Sequence, residues 1–86
     1  MYYVYMIRNV FNKLYTGVST NPKQRLLDHN KKLGAKFTKY GNFNLVFLEN
    51  HSDLSAARRR EIQIKKWRRD KKDYLIDLYK RELPTN

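Results

Sequence analysis

No cysteine occurs among the 86 residues, so neither a disulfide framework nor a thiolate metal site can form. That absence is compatible with a reducing cytoplasm. Acidic side chains are also scarce, eight against nineteen Lys and Arg, which leaves a net charge of +11 and a pI near 10.1. A surface so one-sided in sign draws polyanions. Nucleic acid is the first candidate and an anionic membrane the second. No apolar run approaches the roughly 18 residues of a membrane span. The first ten residues, MYYVYMIRNV, lack a basic stretch ahead of the apolar one and a small-residue cleavage site, which argues against a signal peptide. A soluble, cytoplasmic protein is the expectation. The membrane alternative ranks last, since no long helix sets a Lys/Arg face against a bulky apolar one.

What is present is hydrophobic content of 41%, enough for one core, and an aromatic share of 14% in which seven of twelve rings are tyrosines. A chain of this length makes one domain, 1–86, with its core over about 2–80. Residues 2–10, rich in Tyr, Val and Ile, read as a strand. Phe11-Asn12-Lys13 reads as a turn and Leu14 to Ser19 as a returning strand, with Gly17 marking a bulge or a close backbone approach.

Asn21-Pro22 starts a helix, Asn as N-cap and Pro at the first helical position, where its missing N–H has no partner to lose. That helix runs to about Lys32 and places Arg25 and His29 four residues apart on one face. Residues 33–42 read as loop. Phe43 to Glu49 reads as a third, largely buried strand. Ser52 or Asp53 caps a second helix to about Trp67. Asp70 to Asp73 is expected to break it, with a last helix over Tyr74 to Arg81. The order is β-β-α-β-α-α, a small α+β domain whose three-stranded antiparallel sheet needs the helices to cover it.

On the second helix, Leu54, Ala57 and Ile64 share one side, and Glu61 projects into the same sector. An acid at the edge of an apolar face must be paired, metal-bound or protonated. On the helix wheel alone, a salt bridge to Arg25 or to a neighbouring Arg, or a solvated end of the stripe, accounts for it better than a function does. Alone, it leaves most of a metal's shell to water and phosphate, which Mg²⁺ accepts and Zn²⁺ usually does not.

Taken together, Tyr3-Val4-Tyr5, Tyr15-Thr16-Gly17, Arg25 with His29, and Glu61 within SAARRREIQIKKW resemble the GIY-YIG nuclease domain in its small stand-alone form. The likeness covers Tyr3 to about Ile76. Two positions depart from the family pattern: Tyr3 stands where the first triplet has glycine, and Thr16 where the second has isoleucine. Neither supplies a reacting group.

The resemblance implies a DNA endonuclease that uses one divalent ion, Mg²⁺ or Mn²⁺. Glu61 would hold the metal, and Arg25 would neutralise the scissile phosphate, a task suited to its planar fork. Tyr5 would help deprotonate the attacking water with Tyr15 orienting it. His29 competes as base, its ordinary pKa near 6.5 suiting neutral pH. Gly17 would be structural at the site. Asn30, Lys36, Lys39, Arg58 and Lys65 could contact nucleic-acid phosphates. The basic run from Arg58 to Lys72 would in part track the backbone, blind to sequence. Trp67 reads as core, and His51 receives no role.

DNA is thus the expected partner, with RNA not excluded and no membrane. Substrate choice, on a damaged, branched or flapped structure, would fall to DNA shape or to a protein partner. The competing class is a non-catalytic basic nucleic-acid-binding module on the same fold.

Overall fold

A computed structural model describes residues 1–33 and 43–85. Strands β1 (Tyr2–Arg8) and β2 (Leu14–Ser19) are followed by helix α1 (Pro22–Leu33), strand β3 (Asn44–His51) and helices α2 (Leu54–Lys65) and α3 (Arg69–Lys80). The sheet order is β2-β1-β3, antiparallel throughout, with β1 at its centre. The expected α+β architecture and element order are both present.

The first strand stops two residues earlier than its composition predicts, and Asn9 is the reason. Its Oδ1 accepts hydrogen bonds from the N–H groups of Phe11 (3.0 Å) and Lys13 (2.9 Å). This side-chain turn competes with the ladder. Asn12 completes the reversal at φ 66°, a left-handed conformation that asparagine tolerates.

Side chains alternate across a strand, so β1 serves two cores. Val4 and Met6 point to one face, where Phe47, Ala57, Ile64, Leu75 and Ile76 pack with them under α2 and α3. Tyr5 and Ile7 point to the other, with Phe43 and, less buried, Leu26 of α1. Between Met6 and Ile7 the β3 register shifts by one residue, a bulge at Val46.

Both caps read from the sequence form. Asn21 Oδ1 accepts from the Gln24 N–H at 3.3 Å, and Asp53 Oδ1 from the Ala56 N–H at 2.8 Å. The break between the last two helices is displaced from its expected place. It falls at Lys66–Arg68, while Asp70 and Asp73 lie inside α3, Asp70 in the first turn and Asp73 paired with Arg69 at 3.0 Å. Length explains why a break is needed. An unbroken helix from Leu54 to Lys80 would run about 40 Å, whereas the seven residues of β1 span only about 23 Å. Leu75 and Ile76 reach the core that holds Ile64 only if the helix turns back.

Candidate active site

Strand register brings the two tyrosines together. Tyr15 pairs with Ile7 and Gly17 with Tyr5 on the adjoining strands, so Tyr5 and Tyr15 are diagonal neighbours on one face. Their ring centroids are 6.3 Å apart. Gly17 is required by this arrangement. A Cβ there would lie 2.6 Å from Tyr5 Oη and 2.8 Å from Cζ, so the ring rests directly over the glycine. The close approach read from the sequence is to the catalytic candidate itself.

Helix α1 lies on the same face, seated through Leu26. The adjacent position sends the Arg25 side chain to Tyr5, whose hydroxyl it hydrogen-bonds. One turn on, His29 stacks at 5.1 Å from Tyr15 and meets the edge of Phe43 at 4.6 Å. Tyr5, Arg25, Asp28 and His29 line a cleft of about 20 Å³, room for about one water-sized group. Asp28 was missed by sequence reasoning. Its signal was its spacing, three residues after Arg25 on the same helix face.

Burial pushes the Tyr5 hydroxyl above its ordinary value, against the lowering effect of the Arg25 hydrogen bond. The charges on Tyr15, when ionised, and on Glu61 push the same way. Arg25 is raised in turn, first by its hydrogen bond to Tyr5, and stays cationic. Tyr5 is therefore protonated at neutral pH unless a further cation joins it.

Glu61 comes from the other layer. It lies between Ala57 and Ile64 on the buried side of α2 and is 7% exposed. Its partners are not Arg25 but two cations of its own helix. Oε1 meets Arg58 Nη1 at 3.2 Å, and Oε2 meets Lys65 Nζ at 3.2 Å. Glu61 is nevertheless near enough for its charge to register at Tyr5. Among the described residues no group of three or more His, Cys, Asp and Glu could hold a metal. The donor set is one carboxylate, and both of its cation partners are about half exposed and free to swing away. Such a set fits an ion that keeps most of its waters, Mg²⁺ or Mn²⁺, and does not fit Zn²⁺.

Other expected contacts sort differently. Asn30 is engaged by the backbone of Phe43. Its Oδ1 accepts from the Phe43 N–H at 2.8 Å, and its Nδ2 donates to the Phe43 carbonyl at 3.2 Å. It fastens α1 to the start of β3 and so places Phe43 against His29. Lys36 and Lys39 lie outside the described residues. His51 does have a partner, Glu49 Oε1 at 2.9 Å, which also takes Arg60 Nε at 3.0 Å. No helix among the described residues is long and apolar enough to cross a membrane.

Comparisons with known proteins bear on the family and the fold. A family model described as the GIY-YIG catalytic domain matches residues 1–74. A UPF0213 protein of Staphylococcus haemolyticus is 42% identical over 77 residues, covering 88% of this chain and 94% of the relative. One from Syntrophus aciditrophicus is 45% identical over 76 residues, covering 86% and 87%. The solution NMR structure of a UPF0213 protein from Bacillus halodurans superposes with a TM-score of 0.60 at 34% identity, covering 91% of this chain and 85% of that one.

Proposed function

The chain belongs to the GIY-YIG catalytic-domain family, and on that premise we propose that it is a divalent-metal-dependent DNA endonuclease directed to damaged, branched or flapped DNA. The family is generally one of endonucleases, and the fold is of nuclease type. The observation that carries the proposal is the convergence of Tyr5, Arg25 and His29 on one cleft, with the Tyr15 ring beside both Tyr5 and His29.

Each group's task follows from its surroundings. Arg25 has five N–H donors, and the bond to Tyr5 leaves others free for phosphate oxygens. Tyr5, holding its proton, donates a hydrogen bond and orients the attacking water with Tyr15. His29 takes the proton from that water as the new P–O bond forms and the old one breaks, because a phenol raised by burial does not surrender its own proton at neutral pH. The departing oxygen leaves as an alkoxide that solvent water protonates. Glu61 would hold Mg²⁺ or Mn²⁺, which when bound supplies Lewis acidity toward the phosphate. Arg58 and Lys65, displaced from the carboxylate, would then be free to meet the DNA backbone.

The test is cleavage of labelled duplex, single-stranded, flap and branched DNA with Mg²⁺, Mn²⁺ or EDTA. Metal-dependent cutting is expected, lost in Glu61→Ala and Arg25→Ala while circular dichroism is unchanged. Parent-like cutting by both variants would sink the assignment. A second reading, the non-catalytic binding module, is favoured by one observation: both Glu61 oxygens already carry cations. It expects salt-sensitive binding with no turnover in either metal.

A further inference from the structure

A second recess lies at the corner between α2 and α3. It is an open depression of about 540 Å³, lined by Lys66, Trp67, Arg68, Asp70, Lys71 and Tyr74. None of these residues takes part in the cleft of Tyr5 and Arg25. We propose that this corner is a second nucleic-acid site, which holds an unpaired segment of DNA by stacking its bases on Trp67 and Tyr74 and pairing its phosphates with Lys66, Arg68 and Lys71. The proposal rests on the reading that the substrate is DNA, and it names the feature by which this chain would select flapped or branched forms.

Three observations support the occupant. The first is charge: three of the six lining residues are cations and one is an acid, and Asp70 is already within 3.7 Å of Arg68 Nε. The second is the presence of aromatic faces beside those cations. Tyr74 is 63% exposed, far beyond what packing would require. Trp67 is only partly buried against the core. Aromatic platforms among backbone-tracking cations are the common chemistry of single-strand binding.

The third is preorganisation. Arg60 lies 5.3 Å from the centre of the Trp67 ring and is itself immobilised. Its guanidinium donates to Glu49 Oε1 (3.0 Å), Gln63 Oε1 (2.8 Å) and the Thr85 carbonyl (2.8 Å). Thr85 Oγ1 closes the network by donating to Glu49 Oε2 at 2.9 Å. A partly buried ionic network of this kind fixes the ring beside it. Lys71 Nζ, by contrast, sits 4.4 Å over the same ring on an exposed side chain that has no salt-bridge partner among the described residues. A base stacks on an aromatic face more strongly than an exposed ammonium does. The base therefore takes the place of Lys71, and the freed ammonium turns to the adjoining phosphate.

Trp67 is the sole tryptophan of the chain, so its emission reports on this site alone. The experiment titrates the full chain, in EDTA to prevent cutting, with a short oligothymidylate and with a blunt duplex, following tryptophan emission and the anisotropy of the labelled DNA. The single strand should quench emission and the duplex should not. Tyr74→Ala and Lys71→Glu, both at exposed positions, should each weaken single-strand binding about tenfold. Binding without quenching, or with neither variant weaker than the parent, overturns the proposal and leaves the nuclease reading standing. Quenching in a protein that cuts nothing with either metal keeps this site and removes the nuclease. No binding to either DNA overturns both.

Discussion

Tyr5 carries the heaviest demands of any single residue. It is 2% exposed, it lies on a glycine, and it is bonded to an exposed cation. Burial raises its pKa, so folding favours the neutral phenol. The sign follows directly. Stability from the protonated form is fully present below the unfolded value near 10 and is lost as pH rises through the higher folded value. In spectrophotometric titration, Tyr5→Phe should lose one tyrosinate from the alkaline end of the curve, above about pH 10. It should also flatten the fall in stability there. A phenol missing from the range below that value would remove the reason for assigning the proton to His29. Glu61 differs, since its ion partners are half exposed. Glu61→Gln should cost less than about 1 kcal/mol in denaturant unfolding yet abolish metal-dependent cutting.

Elements position these residues by register, and register is tested at Gly17. The new methyl of Gly17→Ala would push the Tyr5 ring from its seat across the β1–β2 pair. Overpacking of this kind costs about 1–3 kcal/mol, and the cleft should lose Arg25 alignment with it. Cutting should thus fall much further than the melting temperature does, a comparison that one variant settles. Much of this architecture was legible in the sequence. Strand propensity around Tyr3-Val4-Tyr5, the caps Asn21 and Asp53 and the shared face of Arg25 and His29 are local signals, written within a few residues of where they act.

What was not legible depends on distant partners. No glycine or proline marks the break at Lys66–Arg68, because sheet length and not local chemistry imposes it. Glu61 could be placed on the apolar face, but its choice of Arg58 and Lys65 over Arg25 depends on which layer α2 covers. The bonds from Arg60 to Glu49 and Thr85 join residues 11 and 25 apart in the chain. The two-point grip of Asn30 on Phe43 spans 13.

At the scale of the whole molecule, a net charge of +11 acts at long range. Each phosphate neutralised releases counterions, so affinity falls linearly in log–log coordinates with salt. Binding to any DNA should weaken by roughly tenfold or more between 50 and 200 mM salt, measured by anisotropy, and the loss should not depend on sequence. A flat salt response would remove the basic surface from the account.

Among the described residues, the two faces of the sheet are unequally furnished: seven buried side chains form the core under α2 and α3, against three beneath α1. Local opening follows local burial. Amides of α1 should therefore exchange with deuterium sooner than those of β1 and α2, as a separate cooperative unit that carries Arg25 and His29 away from the tyrosines. DNA bound through Arg25 would hold that unit shut. Half of the constellation is mounted on the layer with more buried side chains among the described residues and half on the other, so a bound substrate would act as a fastener between the two.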